Sequence, residues 1–269
     1  MSISSVKTGL IRDELLVGNA PYIPSPVAGY KAWYDASDTA TITVSGSNVT
    51  QWNDKSANAL HLVQATSTKQ PLSGTRTQNG LNMIDFDGND DVLVSSASAA
   101  TWKFLTDATG SSFFIVMFCD TSSAGWYLTS VSGSSVANTP SYTWYKNGDD
   151  TGYFGKGTDN PSGYNWFTSG TSISFSDNTA QQWALISNPT AATASRMLIY
   201  KNGVANTNLN GQTAVSSTNN PSTPLNLGGY SSGAESLNGT ICEVIIYDSV
   251  LNSTDREANE DYLAAKWGL

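Results

Sequence analysis

From residue 30 to residue 247 the chain is a succession of short apolar and aromatic runs separated by turn residues. KAWYDA, TITVSGSNVTQW, LHLVQ, NMIDF, DVLV, SSFFIVMF, GWYLTSV, YTWYKNG, QWALIS, RMLIYKNGVAN, LNLGGY and ICEVIIYD all have the length and residue types of strands. No helical period lies between them, so the pattern predicts an antiparallel sandwich and not a βαβ fold. Asn202-Gly203 inside LIYKNGVAN is the strongest hairpin signal, because both residues tolerate positive φ; Tyr-Lys-Asn-Gly at 145–148 repeats it. Only the last segment departs from the pattern. In NSTDREANEDYLAAKWGL, Thr254 and Glu257 read as a capping box, Ala258, Tyr262 and Ala265 as an apolar stripe, and Gly268 as the stop. One short helix is expected to pack on the sandwich after its last strand.

Residues 1–27 read differently. Pro21, Pro24 and Pro26 impose an extended path, and Leu10, Ile11, Leu15, Leu16 and Val17 have no strand partner nearby. Two readings are open: a disordered or edge-strand leader, and an arm that becomes ordered by docking on another subunit. Arg12, Asp13 and Glu14 interrupt the apolar stretch, so it does not read as a signal peptide. The expected division is a docking arm over 1–27 and one sandwich domain over 28–269.

Composition narrows the function classes. Only 13% of the 269 residues are charged, about half of the ~25% usual in soluble domains, and the formal net charge is −9. A surface of that sign repels nucleic acid. No run approaches the ~20 apolar residues of a membrane-spanning helix, so membrane insertion is not expected. Two cysteines, Cys119 and Cys242, sit in strand-like runs and read as buried thiols, with one disulfide as the alternative. With a single histidine, His61, the usual zinc ligand sets cannot be assembled, and His61 in LHLVQ reads as a surface strand residue.

The densest chemistry is MIDFDGNDDVLV, where Asp85, Asp87, Asp90 and Asp91 fall within seven positions. An EF-hand-type calcium loop needs its glycine sixth, and Gly88 is fourth. A hairpin turn over Asp87–Asp90 between two strands accounts for the residues, with a calcium site as the lesser alternative. A glycosidase needs a pair of carboxylates across the scissile bond. Of the five glutamates only Glu243 lies on a strand-like run, with no acid two or four residues away. No nucleophile elbow or phosphate loop occurs either, so the expectation is a protein that is not an enzyme.

Three segments carry a resemblance. WYDASDTATITVSGSNVTQWNDKSANALHLVQAT, QPLSGTRTQNGLNMIDFDGNDDVLV and LNGTICEVIIYDSVLNSTDREANEDYLAAKWGL resemble concanavalin A-like lectin/glucanase domains of the laminin-G type, most closely versions in bacteriophage virion proteins and bacterial surface proteins. The resemblance implies a two-sheet antiparallel jelly roll with one short C-terminal helix. It also implies a virion structural protein of head-decoration, collar or fibre type, assembled in the host cytoplasm. Its partners would be other virion proteins, met through the arm, and copies of itself, with a trimer expected. A displayed lectin-like domain could also adhere to bacterial surface carbohydrate, and a free-standing carbohydrate-binding module and a glycan hydrolase stand as alternatives. Sugar binding requires aromatic faces beside Asn, Asp or Gln. Trp126, Trp144, Tyr145, Tyr153 and Trp166 in the aromatic stretch 126–167 are the candidates, and no cofactor is expected beyond the calcium alternative.

Overall fold

The structure is a computed structural model that describes residues 25–120, 125–129, 140–146, 152–157, 164–168, 175–192, 195–205, 216–230 and 235–269. The arm residues Leu10, Ile11, Leu15, Leu16 and Val17 lie outside them. Seventeen strands and one α-helix make up the described fold. In order these are β1 (Ala32–Asp35), β2 (Ile42–Ser45), β3 (Asn48–Trp52), β4 (Leu62–Val63), β5 (Leu72–Gln78) and β6 (Leu81–Asp87). Next come β7 (Leu93–Ser95), β8 (Ser111–Cys119), β9 (Gly125–Thr129), β10 (Ser141–Lys146), β11 (Gly152–Gly157) and β12 (Tyr164–Thr168). The last are β13 (Ala180–Ser187), β14 (Met197–Lys201), β15 (Val204–Ala205), β16 (Asn226–Leu227), β17 (Asn238–Tyr247) and the helix α1 (Ser253–Trp267).

Strand pairing resolves into two antiparallel layers. One runs β5–β6–β17–β8–β13–β14–β15, with β1 continuing the line of β6 along the second half of β17. The other runs β2–β3–β4–β7–β16–β9–β10–β11–β12. A single pairing of Asn48 with Leu72 joins the layers at one side. This is the all-β sandwich with one C-terminal helix that the hydrophobic pattern predicts.

Alternation decides what fills each interface. On β8, Phe113, Ile115 and Met117 face the opposite layer and join Trp52, Leu128, Tyr142, Trp144, Trp183 and Leu227 in the main core. Phe114 and Val116 face the other way, with Ala184, Ile186, Ile245 and Tyr247, against Tyr262, Leu263 and Trp267 of α1. The central strands are covered on both faces, which is why FFIVMF and EVIIY are unbroken apolar runs although the sheet is antiparallel. The two cysteines follow the same rule. Cys119 belongs to the main core and Cys242 to the helix side, so they face opposite surfaces of one layer and do not form a disulfide with each other.

The turns follow their residue types. Asn202 and Gly203 have φ of 48° and 75°, the double left-handed conformation that closes the β14–β15 hairpin. Asn79-Gly80, with φ of 51° and 75°, closes β5–β6 in the same way. Asn147 and Gly148 of the second Tyr-Lys-Asn-Gly lie outside the described residues, but β10 and β11 do pair, Lys146 opposite Gly152.

Two local readings are corrected. Helix α1 is capped by Asn252, whose side chain accepts from the Asp255 amide, two residues before the expected Thr254. Its buried face is Arg256, Asn259, Glu260, Tyr262, Leu263, Lys266 and Trp267, while Ala258 and Ala265 are exposed. The acidic segment is a turn but not a hairpin, because β6 pairs with β5 and β17 whereas β7 pairs with β4 and β16. The chain crosses from one layer to the other there.

Candidate functional site

The aromatic stretch occupies one end of the second layer, on β9 to β12. Tyr142, Trp144 and Phe154 alternate inward and are fully buried. The ring of Trp144 lies 5.2 Å from that of Trp183 and 5.4 Å from that of Phe175. Trp144 is therefore a core residue, which corrects its reading as a sugar platform: no face of its ring reaches solvent. The side chains of Trp126, Tyr145, Tyr153 and Trp166 lie outside the described residues, but their backbone register is fixed. Tyr145 pairs with Trp126 on one side and Tyr153 on the other, so three aromatic positions form a row across three strands. Trp166 pairs with Gly155, next to Thr143 on β10. A bulge at Trp144/Tyr145 resets the β9–β10 pairing and brings Trp126 into that row.

A second constellation surrounds Glu243, which is fully buried between β1, β17 and α1. Its Oε1 accepts from Trp33 Nε1 and Tyr262 Oη, both at 2.7 Å. Its Oε2 accepts from Lys266 Nζ at 2.7 Å and Trp267 Nε1 at 2.8 Å. Strand register sets Asp35 directly opposite Glu243, and Lys266 Nζ bridges the two with 2.7 Å to Asp35 Oδ1. Lys55 closes the group at 2.9 Å from Asp35 Oδ2. Burial raises the Glu243 carboxyl and Asp35 raises it further, while Lys266 pulls it back. For Asp35, burial is outweighed by Lys266, Ser37 and Lys55, and the carboxyl is held below its ordinary value.

Two carboxylates thus do come together, which linear spacing did not indicate. Their geometry belongs to a fastening. Four donors saturate Glu243, two ammonium groups are shared among the carboxylates of Glu243, Asp35 and Asp38, and the helix lies over Glu243. The group accounts for YLAAKWG: Lys266 and Trp267 lie about one helical turn beyond Tyr262, and all three grip Glu243.

The acidic turn brings carboxylate oxygens of Asp87, Asp90 and Asp91 within 4.8 Å of one another. Gly88 sits at φ 78° and leaves no room for a side chain, since a Cβ there would lie 2.7 Å from Asn238 Cβ. Asp87 accepts from the Asn89 amide at 2.9 Å and from Asn89 Nδ2 at 3.0 Å. Asp91, 4% exposed, accepts from the Asp87 amide at 3.0 Å. Burial, then the charges of Asp87, Asp90 and Asp85, push the Asp91 carboxyl up to about 7. Three carboxylates, two of which already accept turn amides, fall well short of the about six oxygens calcium takes. The hydrogen bonding is that of an Asx turn. His61 is half-buried just before β4 and its Nδ1 accepts from the Asp54 amide at 3.2 Å, a loop contact.

No protein-family model matches the sequence, and no curated protein is similar to it. Solved structures do share its architecture. A Trypanosoma rangeli sialidase superposes with a TM-score of 0.57 at 15% identity, over 90% of this chain and 33% of the sialidase. A botulinum neurotoxin serotype D binding domain gives 0.49 at 12% identity, over 87% of this chain and 51% of that one. The CBM40 of a Ruminococcus gnavus IT-sialidase, bound to α2,3-sialyllactose, gives 0.45 at 14% identity, over 61% and 84%. The sialidase likeness shows a common β-sandwich fold. The chain spans about a third of that enzyme's length, and the two weaker superpositions carry no argument.

Proposed function

We propose that this chain is a non-enzymatic, lectin-like β-sandwich displayed on a bacteriophage particle. In this reading residues 1–27 anchor it to other virion proteins, and strands β9 to β12 meet bacterial surface carbohydrate. The register that lines up Trp126, Tyr145 and Tyr153 across three adjacent strands carries the reading. Stacking on a pyranose needs aromatic groups spaced about a strand separation apart, and a row across paired strands supplies that spacing. A sandwich of sialidase-like fold is a scaffold compatible with such a surface. The hydrolase alternative loses support from Glu243, whose oxygens are taken up by four donors.

The test is binding of the full chain, and of a chain beginning at Val27, to a panel of bacterial glycans with and without EDTA. Saturable binding by both chains, lost in Trp126→Ala and Tyr145→Ala without loss of thermal stability, is the expected result. No binding by either would overturn the carbohydrate part. Incorporation into particles that no longer needs residues 1–27 would overturn the anchoring part.

A further inference from the structure

Lys266 Nζ stands 2.7 Å from Asp35 Oδ1 and 2.7 Å from Glu243 Oε2, so one amine is held between two carboxyl groups. The side chains of Lys266, Asp35 and Glu243 are 6%, 5% and 0% exposed. They come from three elements, α1, β1 and β17, that pack together at this point. Aromatic rings close the space around the amine. Its nitrogen lies 5.3 Å from the ring centroid of Trp267 and 5.5 Å from that of Tyr262.

In a site closed to water, a neutral amine and a neutral acid compete with the ion pair, and the neutral amine is the nucleophilic form. Glu243 is suited to take that proton, because burial, and then Asp35, raise its carboxyl above the ordinary value. Asp35 supplies the carbon to be attacked. A nitrogen 2.7 Å from a carboxylate oxygen lies within about 3.5 Å of the carboxylate carbon, the range of a near-attack pair. The two oxygens of Asp35 have different surroundings. Oδ1 accepts from the Ser37 amide at 3.1 Å and the Ser37 hydroxyl at 2.6 Å, donors that can hold charge developing on that oxygen. Oδ2 faces Lys55 Nζ at 2.9 Å, on a side chain that is 20% exposed and opens towards solvent. Lys55 is not a second nucleophile: burial lowers its ammonium, but Asp38 and Asp35 outweigh burial and hold it above the ordinary value.

We propose that Lys266 and Asp35 condense into an intramolecular amide bond, with Glu243 as the acid-base group. Glu243 Oε2 takes one proton from Nζ, and the freed lone pair attacks Asp35 Cγ while Oδ1 carries the charge against Ser37. The proton on Glu243 and one more from the nitrogen pass to Oδ2. The Cγ–Oδ2 bond breaks and water leaves past Lys55. An ammonium and a carboxylate thereby become an amide and one water, a balance that needs no oxidant, reductant or co-reactant. The bond ties β1 to α1 across 231 positions, so the two elements stay joined even when the sandwich opens.

The reaction is independent of the carbohydrate surface proposed above. The full chain is incubated folded at neutral pH for several days, unfolded in urea and weighed intact by mass spectrometry, so that only a covalent link survives. The expected result is a chain lighter than its sequence by one water, with tryptic peptide 32–55 joined through Asp35 to peptide 257–269 through Lys266. Lys266→Arg keeps the positive charge and Glu243→Gln keeps the shape of the acid, and both are expected to show the full sequence mass. A wild type that is folded by circular dichroism and retains its full sequence mass overturns the proposal, whether or not either variant folds. Water loss located at any other pair, Lys55 with Asp35 included, or undiminished water loss in Glu243→Gln, also overturns it.

Discussion

Asp91 is a carboxyl that the fold holds in an environment suited to its neutral form. Burial, and after it Asp87, Asp90 and Asp85, raise it from 3.8 to about 7, while the amide of Asp87 stays bonded to it. In the unfolded chain the same group ionises near 3.8, so between those two values the folded state retains a proton that the unfolded state has lost. Stability attributable to Asp91 is therefore complete below about pH 4 and is lost as pH rises towards 7. Three pH units at about 1.4 kcal/mol each give about 4 kcal/mol, and local relaxation around the ionised group brings this to about 2–4 kcal/mol. Asparagine has nearly the shape of the protonated acid and can accept from the Asp87 amide. Asp91→Asn should thus match wild type near pH 4 and exceed it by about 2–4 kcal/mol at pH 7–8. Urea unfolding of both proteins from pH 4 to 8 in EDTA measures this, and taking the difference cancels the other buried acids, Glu243 and Glu260. A difference that stays flat across that range, or an Asn variant less stable at pH 8, would refute the account of the turn.

Three further outcomes follow from the same structure. Glu243→Gln replaces an acceptor of four donors by a group that must itself donate, and should cost about 3 kcal/mol, read as a Tm lower by about 6–12 °C. Gly228→Ala places a Cβ 2.1 Å from Phe86 Cε1 at φ 85°, and should abolish the cooperative unfolding transition seen by circular dichroism. Lys156 is 2% exposed, and burial, partly offset by Asp107, lowers its ammonium to about 8. The folded state sheds that proton before the unfolded state does, so stability should rise from pH 8 to about 10.5 in wild type. Lys156→Met should remove the slope and add about 2 kcal/mol at neutral pH, measured by chemical denaturation.

The sequence alone determined most of the features that depend on neighbours within a few residues, though not the Asn252 cap of the helix. The strand runs, the left-handed Asn202-Gly203 turn, the turn at Gly88 and the stop at Gly268 all follow from local backbone preference and side-chain period. Strands β5, β11 and β12 escaped because LSGTRTQ, GYFGKG and YNWFT carry Gly, Thr and Asn where a strand signal needs apolar alternation; Asn79-Gly80 was the signal that could have found the first. The helix was legible, but its buried face was not, because that face carries Arg256, Glu260 and Lys266. Charged residues read as solvent-facing unless their partners are known, and the partners lie on other elements. Lys266 meets Asp35, which is 231 positions away, and Glu243 meets Asp35 only through the register of β1 on β17. The same holds for Trp144, which a composition argument cannot place inside or outside until the pairing of β10 assigns its face. It holds again for the acidic turn, whose residues specify a reversal of the chain but not which layer receives the strand that follows. Burial of a charge and the face that a strand residue occupies are set by contacts distant in sequence, and only the tertiary structure supplies them.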